Sequence, residues 1–282
     1  MRSRPFPRIP RPLFVLLLGV LVFIGATAAK TESEWVTVER EFWRVKFPPE
    51  FGEDARAVDT MMDRATKELS TLFGEPDPAR LLDTTVVEVM THPDGCRHAS
   101  YSHASMESNM RWDGYQARIH LLAPSIFSQY AVGRTSPTDA VDTYYRILLH
   151  EYSSVFVQRL ILSKGGGWQY HQADPWFLQG FDEFIASRGA DGERFTERLE
   201  KRLAPIRRQP DRVKFAKDIR VSDPYGDGFA VVAFLHETFG PDAVRKIWLS
   251  PERSFSRAVE STLGTDYPNL QAKWREWLTK ET

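Results

Sequence analysis

The residues best equipped for chemistry stand together in one stretch, Leu148-Leu149-His150-Glu151-Tyr152-Ser153-Ser154-Val155-Phe156. A histidine followed by a glutamate on a helix places a metal-binding imidazole beside a general base. It becomes a metal site when a second imidazole stands at i+4, because i and i+4 share one helix face and both rings reach one ion. Here that place is Ser154, whose hydroxyl is neutral and a weak donor. A His-Glu pair alone on a helix is usually solvated or hydrogen-bonded. The chain has a second one, His236-Glu237, with Gly240 at the matching place, and it reads as chance.

A second segment gives the first pair a context. It runs Pro175-Trp176-Phe177-Leu178-Gln179-Gly180-Phe181-Asp182-Glu183-Phe184 and resembles the W-L-x-E-G-x-x-E-[YF] segment of the gluzincin metallopeptidases, the aminopeptidase-N-like and peptidase-MA-like proteins. Tyr225-Gly226-Asp227-Gly228-Phe229, the helix end Phe239-Gly240-Pro241, and Trp274-Arg275-Glu276-Trp277-Leu278 are also similar to the C-terminal half of peptidase-MA-like domains. The resemblance covers roughly residues 35 to 280 and is strongest over 140–185. It implies that the glutamate before the glycine is the third zinc ligand, a position held here by Gln179. It also implies a cleft formed by His150, Ser154, Gln179 and Glu183, with Glu151 as the base and Tyr225 near the scissile carbonyl. A buried tyrosine bonded to backbone is an equal reading of Tyr225.

A catalytic zinc needs three protein ligands and an open position for water. Of the three positions this sequence keeps His150 and replaces the others by Ser154 and Gln179. Without the metal, water keeps a pKa near about 15.7 instead of about 7, so Glu151 has no activated nucleophile to deprotonate. Both departures suit a site without zinc. A carboxylate at 179 with no cation would be costly to bury, and Gln179 keeps its shape without the charge. His150, Ser154 and Gln179 are therefore expected to converge and close a neutral hydrogen-bond network.

Other residues offer rearranged ligand sets. His92, Cys96, His98 and His103 fall in one polar segment, but their spacing matches no zinc pattern. His171 and Glu183 lie close enough in sequence to Gln179 to reach toward His150. The expectation is thus an exported, non-catalytic pseudopeptidase that binds peptide or protein in its cleft, with no cofactor. The alternative is an active zinc metallopeptidase with a rearranged ligand set, and a third reading is a membrane-anchored scaffold.

The elements that must position these residues are readable from periodicity. Trp35 to Phe47 alternates and reads as one or two strands ending at Pro48-Pro49. Asp54 to Phe73 is helical, closed by Gly74. Thr84 to Met90 reads as a strand, His92 to Gly114 as polar and turn-rich, and Tyr115 to Leu122 as another strand. From Ser136-Pro137, an N-cap and first-turn pair, a helix carries Val141, Tyr144, Leu148, Tyr152, Val155 and Ile161 to Gly165-Gly166-Gly167. Further helices are expected over 175–187, 193–204, 228–239, 241–249, 254–263 and 267–279. This is an α+β arrangement: a β-rich half over about 35–135, then a helical half over about 136–282.

The first thirty residues read as a targeting segment. Arg2, Arg4, Arg8 and Arg11 precede an uncharged apolar run from Leu13 to Ala26, and Ala26-Thr27-Ala28 offers a small-residue cleavage site before Ala29. A signal peptide over 1–29 is expected; retention of residues 13–29 as a membrane anchor is the rival, although the run is short for a span. Either way the domain from residue 30 is exported, whether periplasmic, secreted or tethered. Loss of those four arginines moves the net charge from −1 to −5, which gives no electrostatic footprint for nucleic acid. The 282 residues are 42% hydrophobic, with eight Trp, nine Tyr and eighteen Phe, a composition that buries a core. The single cysteine, Cys96, leaves no internal disulfide.

Overall fold

β-Branched and aromatic residues at alternate positions build the sheet on which the helices lie. In the computed structural model, which describes residues 35–75, 85–91, 102–107, 116–131, 137–164, 172–190 and 194–279, β1 (Val36–Glu39) and β2 (Trp43–Phe47) form an antiparallel pair. In β2 the residues Trp43, Val45 and Phe47 are buried and those between them half-buried, as a two-residue period requires. A 22-residue helix, α1 (Gly52–Phe73), then crosses to β3 (Thr85–Met90), which pairs parallel to β2. β4 (Ser102–Glu107) and β5 (Gln116–Leu122) complete the order β1-β2-β3-β5-β4, with β5 parallel to β3 and antiparallel to β4.

β4 corrects the expectation of a turn-rich stretch over 92–114. Its sequence, Ser-His-Ala-Ser-Met-Glu, shows no apolar alternation, and at the sheet edge it needs none. His103 pairs in register with His120 of β5. The rest of that segment lies outside the described residues, as do residues 1–34 with the expected targeting segment.

α1 buries Ala55, Val58, Met62, Ala65, Leu69 and Phe73, three or four residues apart. Gly74 ends it at φ 60°, its N–H directed back to the Ser70 and Thr71 carbonyls; a side chain there would be strained. After β5 comes a helix that periodicity did not reveal, α2 (Pro124–Ala131), then the central α3 (Pro137–Lys164). α1 packs on β2 and α3 on β4 and β5, and the two helices touch each other, so they cover the same face of the sheet. Val141, expected in the apolar stripe of α3, is instead exposed at its first turn.

Beyond α3 the chain is helical: α4 (Pro175–Ala190), α5 (Phe195–Arg208), α6 (Gly226–Phe239), α7 (Ala243–Trp248), α8 (Phe255–Leu263) and α9 (Tyr267–Leu278). A short antiparallel hairpin, β6 (Val213–Phe215) with β7 (Ile219–Val221), interrupts the series and is missing from the sequence reading. The molecule is thus mixed α and β, with its main sheet in the N-terminal part. The described residues from Val36 onward form one compact unit. Among the described residues no helix is long and apolar enough to cross a membrane.

The aromatic residues of the 175–184 segment are core. Phe177 packs 4.6 Å from Trp248 and 4.9 Å from Phe255, and Trp176 lies 5.8 Å from Phe255, centroid to centroid. Trp274, Trp277, Phe215 and Phe234 form a second aromatic cluster that ties α9 to α6 and β6. Edge-on and tilted arrangements of this kind suit the ring quadrupole and dominate burial.

Candidate functional site

α3 is held in rotation by its buried side. Tyr152 is fully buried, with its hydroxyl 3.2 Å from Thr66 Oγ1 of α1. At about 100° per residue, His150 and Ser154 fall on the side of α3 opposite Tyr152 and face α4. The two helices run in opposite senses: Gly189 of α4 is held against Leu149, while Asp182, nearly two turns earlier, meets Ser153 and Ser154.

α4 brings two carboxyls to this face, and they do different things. Asp182 is 1% exposed. Ser153 Oγ lies 2.5 Å from Asp182 Oδ1 and 2.8 Å from the His150 carbonyl, and Ser154 Oγ donates to Asp182 Oδ2. Burial pushes the Asp182 carboxyl up to about 6, against the pull of His150 and the two hydroxyls, with Glu151 adding to the rise. Ser153 has one hydroxyl hydrogen and two acceptors within reach, Asp182 Oδ1 and the His150 carbonyl.

Glu183 is half-buried and splits its two oxygens. Oε1 stands 3.5 Å from His150 Nδ1 and Oε2 3.3 Å from Arg146 Nη1. The first contact is too long for a good hydrogen bond, and His150 Nδ1 has none. Gln179 stands one turn before Glu183 on α4, on the same face by the i, i+4 rule. Where a neutral network of His150, Ser154 and Gln179 was expected, the bonds that Ser153 and Ser154 make across to α4 run to a buried acid, Asp182, three residues after Gln179.

α6 closes the other side. Its approach to α4 depends on two glycines: a Cβ on Gly180 would fall 2.3 Å from the Gly228 carbonyl carbon, and one on Gly228 2.5 Å from the Trp176 carbonyl oxygen. Only bare backbone permits that contact. The close crossing carries the residue before α6, Tyr225, over His150, with ring centroids 6.2 Å apart and planes 14° apart. Asp227, 2% exposed, holds the turn by pairing with Arg212 at 3.1 Å and accepting from the Asp223 N–H. Tyr225 N–H in turn donates to Asp223 Oδ1 at 3.0 Å. Tyr225 is 48% exposed, so the reading of a buried, backbone-bonded tyrosine is set aside. Its phenol is raised above the ordinary range by partial burial and by Glu151, Glu183, Asp182 and Asp223. It stays protonated at neutral pH and can donate.

His150, Glu151, Ser154, Glu183 and Tyr225 thus share one region, with Gln179 on the same face of α4 as Glu183. Among the described residues no group of three or more His, Cys, Asp and Glu side chains is arranged to hold a metal ion. His92, Cys96, His98 and His171 lie outside the described residues, and His103 is on β4 at the sheet edge. His236 and Glu237 have structural roles: Arg188 Nη1 is 2.7 Å from His236 Nε2, and Trp277 Nε1 donates to Glu237 at 2.8 Å. Sequence reasoning missed Asp182. Its available signal was an acid set between Phe181 and Phe184 in an otherwise apolar stretch, next to a second acid.

No protein-family model matches the chain, and no curated protein matches it significantly.

Proposed function

We propose that this is an exported, gluzincin-like pseudopeptidase that binds a peptide or another protein in the cleft between α3, α4 and the start of α6. The single observation that carries the reading is the commitment of Ser154 to the buried Asp182. At the position where a zinc peptidase has its second imidazole, a hydroxyl is used to satisfy a carboxyl. The residues at the three ligand positions do not fit zinc: one imidazole, one hydroxyl already donating, and one neutral amide. No step is routed through a metal here.

What remains suits recognition. Tyr225 offers a half-exposed aromatic face over His150, and Glu151 and Glu183 border it with negative charge. An extended peptide laid along this cleft would meet one apolar platform, one phenol donor and carboxylates for its N–H groups. The rival, an active enzyme with a rearranged ligand set, draws on Glu183, which stands 3.5 Å from His150 and would serve as a ligand.

Photo-crosslinking of labelled decapeptide mixtures to the protein, mapped by mass spectrometry, tests the binding reading. Crosslinks on Tyr225 and the facing turn of α4, with the peptides recovered intact, are expected. Crosslinks elsewhere, or cleaved peptides, contradict it.

A further inference from the structure

The short helix α7 has its rotation fixed by what it buries. Val244, Ile247 and Trp248 are 4% exposed or less, which leaves Arg245 half-buried and Lys246 on the outside. These two line a recess of about 460 Å³ together with Leu249, Ser250 and Pro251 and with Ser261 and Thr262 from the last turn of α8. Among the described residues no carboxylate lines it. The acids nearest in the chain, Asp242, Glu252 and Glu260, form no ion pair with either cation.

The guanidinium of Arg245 is unused. Every N–H of a guanidinium is a donor, yet among the described residues none of those on Arg245 meets an acceptor, and its Nε is buried. Lys246 likewise has no partner there. Ser250 is 4% exposed and accepts from the Glu252 N–H at 3.3 Å, with no acceptor among the described residues for its own hydrogen. A buried donor without an acceptor costs its desolvation, so this wall of the recess is short of acceptors.

Arg245 also lies against the end of α1, and a cation at a helix C-terminus is favourable by itself. That contact uses the face of the guanidinium. A Cβ placed on Gly74 would be 3.6, 3.7 and 3.9 Å from Nη2, Cζ and Nη1, near-equal distances that a face-on approach gives. The N–H groups lie in the plane and take no part. The Ser70 and Thr71 carbonyls at that end are already taken by the N–H groups of Glu75 and Gly74. The C-terminal ends of α1, α7 and α8 bring about half a negative charge each, less in sum than two full positive charges.

We infer that this recess binds the phosphoryl group of a small phosphomonoester. The edge of the Arg245 guanidinium offers parallel N–H bonds to two phosphoryl oxygens, and Lys246 adds a point charge. The hydroxyls of Ser250, Ser261 and Thr262 rotate to donate to the remaining oxygens. Leu249 and Pro251 give an apolar wall for the carbon part of the ester, and the volume is that of a pocket for a small ligand. The recess shares no residue with the cleft at His150 and does not depend on the peptide-binding reading.

Inorganic phosphate and phenyl phosphate, each titrated calorimetrically into the purified protein at constant ionic strength, test this. Both should bind saturably, with phenyl phosphate about tenfold tighter because its ring is buried against Leu249 and Pro251. Lys246→Glu and Arg245→Gln should each weaken phenyl phosphate about tenfold or more. Circular dichroism checks their folding; Lys246 is exposed, so its reversal carries the test if Arg245→Gln does not fold. Lys217→Glu, in the turn between β6 and β7, makes the same change in net charge outside the recess and should leave binding unchanged. Non-saturable binding, binding insensitive to Lys246→Glu, or equal weakening by Lys246→Glu and Lys217→Glu overturns the site. Inorganic phosphate binding as tightly as phenyl phosphate overturns the ester and makes free phosphate the ligand.

Discussion

Ser154 of the central helix donates its hydroxyl hydrogen to Asp182 of the neighbouring helix, a carboxyl that is 1% exposed. The pair occupies the corner where the family resemblance calls for a second imidazole. Its consequences are thermodynamic as well as functional, because a buried acid so placed titrates far from its ordinary range.

Asp182 makes stability depend on pH. Its carboxyl is raised from 3.8 to about 6 in the folded protein, so folding favours the protonated form. That contribution is fully present below pH 4 and is lost as pH rises through about 6. Above that the ionised, buried group costs about 3 kcal/mol, at about 1.4 kcal/mol per unit. Asp182→Asn should flatten the pH profile of denaturant unfolding between 4 and 7 and raise stability at pH 8 by about 1–3 kcal/mol. An unchanged profile would show that Asp182 is not the group responsible.

Gly180 should tolerate no side chain. Its Cβ would lie 2.3 Å from backbone that cannot rotate away, so Gly180→Ala is expected to cost about 2–4 kcal/mol and to separate Tyr225 from His150. Gly52→Ala is the matched control: its Cβ would lie 3.9 Å from Phe47 at an ordinary φ of −62°, and it should be neutral or slightly stabilising. Thermal unfolding of the two variants makes the comparison.

The region near the site shows how far the sequence was legible. α1 and α3 followed from apolar periodicity and from proline and glycine at their ends, which are local properties. α4 buries residues on most of its circumference, Trp176, Phe177, Phe181, Phe184 and Ile185 among them, so no stripe marked which of its polar residues faced α3. Asp182 acquired its role from two serines on another helix, a tertiary fact that no spacing within α4 encodes. The polar edge strand β4 and the three-residue strands β6 and β7 lacked the length or alternation that signals a strand.

The ligand positions should be partly restorable. Ser154→His with Gln179→Glu returns two imidazoles one turn apart and a third carboxylate donor. The double variant should gain zinc by elemental analysis, with weak hydrolysis if Tyr225 keeps its place. Gln179→Glu alone adds a carboxylate beside Glu183 and Asp182 with no cation to balance it, and should lower stability by about 1–2 kcal/mol at neutral pH. A double variant that folds but takes up no zinc would contradict the assignment of these positions.

The proposed export makes a claim about the mature start. Ala26-Thr27-Ala28 is followed by Ala29 and Lys30, and the mature chain is expected to begin at one of these two. Intact-mass measurement of protein from an extracytoplasmic fraction checks this, and a full-length mass would favour the retained anchor.

The central claim, a zinc-peptidase-like site that holds no zinc, is tested most directly by elemental analysis of the unmodified protein purified without added metal or chelator. The donor set at His150, Ser154 and Gln179 predicts well under one zinc per chain. One zinc per chain would contradict the account and establish the rearranged ligand set in its place.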